Sequence, residues 1–236
     1  MTDTRQPLRT DYDEIADRYR GDLDAAVGFA GRDHDFFTQA KASELVRVVR
    51  RLLGEKEELS ALDVGCGIGL TDSLLAGAFA SLTGVDVSPG VLERAAAANP
   101  FVRYELYDGR RLPFGDGSFD VTFAVCVVQV LSPRDRPSFV AELARVTRPG
   151  GVVVAFEHNP LNPLTRLVVA RCSFGEDAEM LRLGELRGLV EGAGLTVADE
   201  GYVLLFPSTR RRLLALERRL ARLPLGAQYF VAARPA

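Results

Sequence analysis

The stretch Ala61-Leu62-Asp63-Val64-Gly65-Cys66-Gly67-Ile68-Gly69-Leu70 decides the fold. A compact apolar strand, Ala61–Val64, runs into glycines at 65, 67 and 69, a GxGxG spacing that lets backbone approach a ligand at the strand mouth. Position 70 is Leu, so the GxGxxG of a dinucleotide-binding turn is not completed, and no Gly-Lys-Ser/Thr ending makes a phosphate loop. Asp63 stands where a pyrophosphate would be repelled. An acid there suits a cation, such as the amino group of an amino-acid moiety.

Outward from this loop the periodicity alternates between strand and helix. Lys41–Leu53 carries Leu45, Val46, Val48, Val49, Leu52 and Leu53 at helical spacing and is stopped by Gly54. Thr71–Phe79 is predicted as a helix, Ser81–Asp86 as a strand, and Ser88-Pro89 opens a helix to Ala98 with Ser as its cap. Phe101–Tyr107 reads as a strand, and Phe119–Val130 as a strand buried on both faces. Asp135–Val146 is a helix ended by Pro149-Gly150-Gly151, and Val152–Phe156 a strand. Leu183–Ala193 is a helix closed by Gly194, Leu195–Leu205 a strand, Ser208–Leu223 a helix and Gln228–Ala233 the last strand. A further helix is expected over 11–20.

That order predicts an α/β fold: a Rossmann-like, doubly wound, seven-stranded sheet with an N-terminal helical cap. Ligands of such sheets lie beyond the carboxyl ends of the strands, near the topological switch point. Asp86 ends the second strand, where a carboxylate accepts from both hydroxyls of a ribose. An ammonium and a ribose without a phosphate describe S-adenosylmethionine.

Composition narrows the classes. The chain has 236 residues, 47% hydrophobic, with a formal charge of −3, which suits a packed core and gives no polyanion-binding surplus. No apolar run is long enough to cross a bilayer, and the first residues lack the apolar core of a secretory signal, so a cytoplasmic address is expected. Three scattered cysteines and two histidines predict neither a disulfide framework nor a metal site. Lys41 and Lys56 are the only lysines, the other basic residues being Arg.

Five segments in order resemble the class I S-adenosylmethionine-dependent methyltransferases of small molecules. They are Leu62-Asp63-Val64-Gly65-Cys66-Gly67-Ile68-Gly69, Gly84-Val85-Asp86-Val87-Ser88, Asp108-Gly109-Arg110-Arg111-Leu112-Pro113-Phe114, Ser118-Phe119-Asp120-Val121, and Glu142 through Gly151. The resemblance implies a last strand antiparallel to the rest. It also implies S-adenosyl-L-methionine as cofactor, with S-adenosyl-L-homocysteine as product. Gly65, Cys66 and Gly67 would pass the methionine part, oriented by Asp63. Asp86 would hold the ribose, Asp108 and Gly109 the adenine amino edge, and Val87 the adenine ring. Ala124 and Cys126 would lie near the sulfonium, and Tyr19 in a cofactor-covering segment. Cys66 is read as a small loop residue, not a nucleophile.

The acceptor side is less sharply written. The chain divides as one domain into an N-terminal cap (1–40), a cofactor-binding core (41–158), an acceptor-side lid (159–182) and the C-terminal part of the sheet (183–236). His158, directly after the fifth strand, is the leading general base, and His34 in the cap is the second. Gln129 stands where many small-molecule members carry a histidine, and is expected to orient the acceptor with Asn159. The tract from Asn159 to Ala178, whose two Asn-Pro steps are expected to make turns, and Leu223-Pro224-Leu225-Gly226-Ala227-Gln228-Tyr229 resemble methyltransferases of glycan and natural-product assembly. The expected reaction is O-methylation of a hydroxyl on a sugar, glycosylated or lipid-linked metabolite. The alternatives are N- or C-methylation, or a non-catalytic binding scaffold. The Arg-rich 208–223 helix is read as an ordinary crossover helix with a solvated face, with contact to an anionic membrane as its second reading. The expected partners are a small-molecule acceptor and no nucleic acid, in a monomer or homodimer.

Overall fold

The computed structural model describes residues 21, 34–56, 58–171, 178–206, 208 and 211–235, the side chain of Arg211 excepted. The helix expected over 11–20, Tyr19, most of the cap and Cys172 lie outside the described residues.

The chain runs α1 (His34–Leu53), β1 (Ser60–Val64), β2 (Ser81–Asp86), α2 (Pro89–Ala98), β3 (Arg103–Leu106), β4 (Phe119–Val125), α3 (Arg136–Val146), β5 (Thr147–His158), α4 (Pro163–Val169), α5 (Leu183–Gly192), β6 (Leu195–Val203), α6 (Arg211–Leu220) and β7 (Gln228–Pro235). The seven strands form one sheet in the order β3-β2-β1-β4-β5-β7-β6. β7 is antiparallel to both β5 and β6, and the pairs from β3 to β5 are parallel. The connections therefore leave the β1–β4 boundary in opposite directions, which makes the carboxyl ends of these two strands the switch point.

Strand alternation divides the core between two faces. On one, Val152, Val154 and Phe156 of β5 pack with Leu45, Val48 and Val49 of α1. On the other, Val153 and Ala155 pack with Leu143 of α3 and Leu186 of α5. Burying a large aliphatic side chain contributes about 1.5–3 kcal/mol, so each face holds its helices firmly against the sheet.

Several elements end where chain chemistry demands. Gly54 takes a positive φ after α1, and Ser88 caps α2 by accepting from Val91 N–H at 3.3 Å. The helix expected over Thr71–Phe79 is only one 3-10 turn, Asp72–Leu74. Leu75 is fully buried there while Leu74 is exposed, and Gly77 adopts φ +73°, so the segment lacks an apolar face to dock as a helix. The apolar run from Phe119 leaves the sheet at Val125, because Cys126 turns at φ 60° into a second 3-10 turn, Val128–Val130. β5 begins earlier than expected, at Thr147, and passes through Pro149-Gly150-Gly151. β3 is confined to Arg103–Leu106. The second Asn-Pro step starts a helix instead of a turn: Asn162 accepts from Leu164 and Thr165 N–H, and Pro163 opens α4.

Candidate active site

The glycine loop is bound to the end of β2. Gly65 and Cys66 N–H both donate to Val85 O, at 2.8 and 3.1 Å. Asp86 accepts from Gly67 N–H through Oδ2 at 3.0 Å and from Ser88 N–H through Oδ1 at 3.1 Å. One carboxylate thus sets both the loop and the start of α2. Gly65 has φ +80°, and a Cβ there would lie 2.6 Å from Val127 Cγ2, so glycine is required by the approach of the β4 turn. Above Gly67, by contrast, a Cβ would meet nothing within 4 Å.

Asp63 is buried at the end of β1, and its Oδ1 has no hydrogen-bond partner. Its carboxyl lies close enough to that of Asp72, a residue the sequence reading passed over, for the two to interact. Asp72 accepts from Tyr104 Oη–H at 2.8 Å, and Asn99 donates to Tyr104 Oη and to Gly69 O, each at 3.0 Å. Burial, followed by the neighbouring Asp72 and Asp86, pushes the Asp63 carboxyl well up. Burial likewise lifts Asp72 to about 6. Two carboxyls in contact need a proton between them, and both retain an oxygen without a donor. Burial and the same acids push the Cys66 thiol up, away from the thiolate form.

The remaining loop residues gather beside Asp86. Gly109 turns at φ +77°, and a Cβ there would come 3.2 Å from Val87 Cγ1, so the Val87 side chain packs close to the Gly109 backbone. Asp108 is exposed, and its Oδ1 accepts from Arg110 and Arg111 N–H at 2.8 and 2.9 Å, which holds its carboxyl below the usual range. Ala124 is fully buried in the core, so it can present only backbone to a ligand.

The β4 turn is braced from beneath. Glu157, fully buried, accepts from Val128 N–H at 2.8 Å through Oε1. Arg136 donates to Val128 O and Leu131 O at 3.1 Å and to Glu179 O at 2.9 Å. Gln228, opposite His158 in the β5–β7 register, reaches Cys126 Sγ at 3.6 Å. Neither Glu157 nor Arg136 was singled out from sequence.

His158 and Gln129 meet across this turn. His158 Nδ1 lies 2.9 Å from Gln129 Nε2 and 3.1 Å from its Oε1. Burial, then the Lys41 charge, lowers His158 to about 4, so the ring is neutral at neutral pH. Lys41 is buried on α1, and its charge acts on Asp63, Cys126 and His158 together. It belongs to the same helix face as His34, two turns away. His34 is itself buried, with Thr38 Oγ1 3.2 Å from its Nδ1. Asn159 is nearly fully buried, and its amide donates to Pro224 O and Gly226 O at 3.1 and 2.8 Å while Oδ1 accepts from Leu161 N–H. That geometry makes it a fastener of the lid to the loop before β7.

A family model described as a methyltransferase domain matches residues 62–155, from β1 to β5. The chain is 34% identical over 158 residues to the 2-methyl-6-phytyl-1,4-hydroquinone methyltransferase of Synechocystis, covering 59% of this chain and 49% of that enzyme. It thus spans about half that relative's length. It is 30% identical over 213 residues to an O-methyltransferase of Penicillium expansum, covering 84% of this chain and 76% of the relative. The geranyl diphosphate C-methyltransferase of Streptomyces coelicolor, solved with S-adenosyl-L-homocysteine, shares the fold at a TM-score of 0.63 and 15% identity, with 98% of this chain and all of that one covered. With the fold, the glycine loop and these matches together, the chain belongs to the class I S-adenosylmethionine-dependent methyltransferases.

Proposed function

We propose that the chain methylates a hydroxyl oxygen of a small molecule, on a sugar, glycosylated or lipid-linked metabolite, with S-adenosylmethionine as donor. When bound, that donor supplies a methyl group on a positively charged sulfonium. The residues around the glycine loop fit its parts. The partnerless Asp63 Oδ1 suits the ammonium, Asp86 the ribose diol, and the open space over Gly67 leaves room for the chain between them. Lys41, close enough to Asp63 for their charges to interact, suits the carboxylate of the same zwitterion.

The observation that carries the acceptor reading is the His158–Gln129 pair. With Nδ1–H donated to Gln129 Oε1, the ring is fixed and its unprotonated Nε2 is left for an acceptor hydroxyl. The protein then has to hold oxygen in line with the methyl carbon, exclude water and receive the hydroxyl proton. Neutral His158 can take that proton. Its low basicity derives in part from Lys41, whose charge a donor carboxylate would neutralise, and this moves the ring back toward its ordinary value. The same low basicity supports a second reading, an amine acceptor that attacks as the free base and needs less help.

Two measurements test this. Calorimetry should show S-adenosylhomocysteine binding to the wild type and to His158→Ala with similar affinity. With labelled donor and a panel of hydroxyl acceptors, His158→Ala should lose about a hundredfold in turnover, the usual worth of general-base catalysis. Undiminished turnover at every pH would remove His158 as the base, and methylation of amines alone would favour the second reading.

A further inference from the structure

Six exposed leucines gather beside the acceptor side of the sheet. Leu161, Leu164 and Leu167 lie on and before α4, and Leu216, Leu223 and Leu225 on and after α6, each between 41% and 60% exposed. The two groups are fastened together. Asn162 Nδ2 donates to Leu225 O at 2.8 Å, Thr165 Oγ1 to Ala227 O at 2.9 Å, and Asn159 to Pro224 and Gly226 O. Leu225 N–H in turn donates to Leu223 O, and Leu223 N–H to Leu220 O. The patch is therefore held by hydrogen bonds between the two segments, and its first leucine, Leu161, follows His158 by three residues. On α6, Leu213, Leu214, Glu217 and Leu220 are half-buried, whereas Arg212, Ala215, Leu216, Arg218 and Arg219 are exposed.

The two segments that carry the leucines are themselves basic. Arg166, Arg218, Arg219 and Arg222 are all exposed beside them. Between 159 and 171 there is no acid, and between 211 and 227 only Glu217. Glu217 is turned inward, accepting from Leu204, Leu205 and Phe206 N–H at 3.0 Å each. A second copy of the chain is a poor occupant, because a two-fold contact would set these arginines against themselves.

We infer that this leucine patch with its arginine rim seats the protein on an anionic lipid bilayer, placing the His158 edge of the sheet at the membrane surface. Apolar side chains enter the headgroup–acyl boundary while the guanidinium groups bind lipid phosphates. This goes beyond methyl transfer, since the surface would bind lipid whichever atom accepts the methyl group.

The test is co-sedimentation of the full chain with phosphatidylcholine vesicles, with and without phosphatidylglycerol. The wild type should sediment with the anionic vesicles and be released by high salt. Leu164→Asp/Leu225→Asp, and separately Arg218→Gln/Arg219→Gln/Arg222→Gln, should each weaken that partitioning by on the order of a hundredfold. Both variants should retain the wild-type affinity for S-adenosylhomocysteine, which checks folding and keeps this test separate from that of methyl transfer. The inference is overturned if the wild type ignores anionic vesicles, or if both variants bind them as the wild type does. It is equally overturned if sedimentation equilibrium shows a wild-type dimer that the leucine variant dissolves.

Discussion

Asp86→Ala is expected to weaken S-adenosylhomocysteine binding by about a hundredfold or more, the largest single loss of affinity in this protein. Two contributions act together. A ribose diol on the Asp86 carboxylate makes two hydrogen bonds to a charged group, each worth about 1.5–3 kcal/mol, and about 1.4 kcal/mol is a factor of ten. The same carboxylate receives Gly67 and Ser88 N–H, so its removal also releases the glycine loop from the end of β2. Asp86→Asn separates the two, since its single carbonyl oxygen can serve only one backbone N–H. It should retain the fold and lose an intermediate share of the affinity. Calorimetry with S-adenosylhomocysteine and with methylthioadenosine, which keeps the ribose and lacks the amino acid, gives the decisive comparison. Both ligands should suffer alike, and an Asp86→Ala protein that binds both as well as the wild type would refute the ribose assignment.

The second expectation concerns acidity. Asp72→Asn should stabilise the ligand-free protein relative to the wild type, and increasingly so as pH rises from about 4 to about 7. In the unfolded chain both acids ionise near 3.9. In the folded chain Asp72 ionises near 6 and Asp63 well above its ordinary value, because burial and mutual repulsion oppose a second charge. The native state therefore keeps protons that the unfolded state has released. Stability from these two groups is fully present below about pH 4 and declines as pH climbs through the folded value. An asparagine at 72 can donate its amide to Asp63 and accept from Tyr104 without any proton being held. The variant should gain on the order of 2–3 kcal/mol over that window, the linkage equivalent of a two-unit shift. In melting temperature this is about 5 °C at neutral pH for a chain of this size, with little difference near pH 4. A difference that does not change with pH would mean that Asp63 and Asp72 share no proton. The surrounding charged groups, Asp86, Cys66, Tyr104 and Lys41, are the same in both proteins, so the subtraction isolates the pair.

The donor half of the fold was legible because its signals are local. Ser81–Asp86 and Pro89–Ala98 have the bounds that periodicity and the Ser88-Pro89 cap imply, and the antiparallel last strand follows the resemblance. What escaped notice depends on contacts between distant segments. Asp72 reads as a surface residue of a short helix until Tyr104 of β3 arrives to bury it. Lys41 reads as the polar side of α1, and Glu157 as the polar neighbour of His158, because a single buried charge leaves no periodic trace. The turn at Cys126 was not legible either. The apolar run continues through it, and only the left-handed backbone at that residue turns Gln129 toward His158. α4 was hidden for the opposite reason, since Asn-Pro signals a turn and a helix cap with the same two residues.

The position of β4 also bears on how such a protein can change over time. The strand divides the sheet, with the glycine loop, Asp86 and Gly109 on its β1–β3 side and His158, the lid and the leucine patch on its β5–β7 side. The hydrogen bonds of Asn159, Asn162 and Thr165 all stay within the second group. Segments beyond the sheet framework, such as α4 and the loop before β7, can therefore be exchanged between relatives, or varied in a library, while Glu157 and α1 keep supporting the groups around the glycine loop. Diversification of what is methylated can proceed with one inherited half and one replaceable half, joined along a single buried strand.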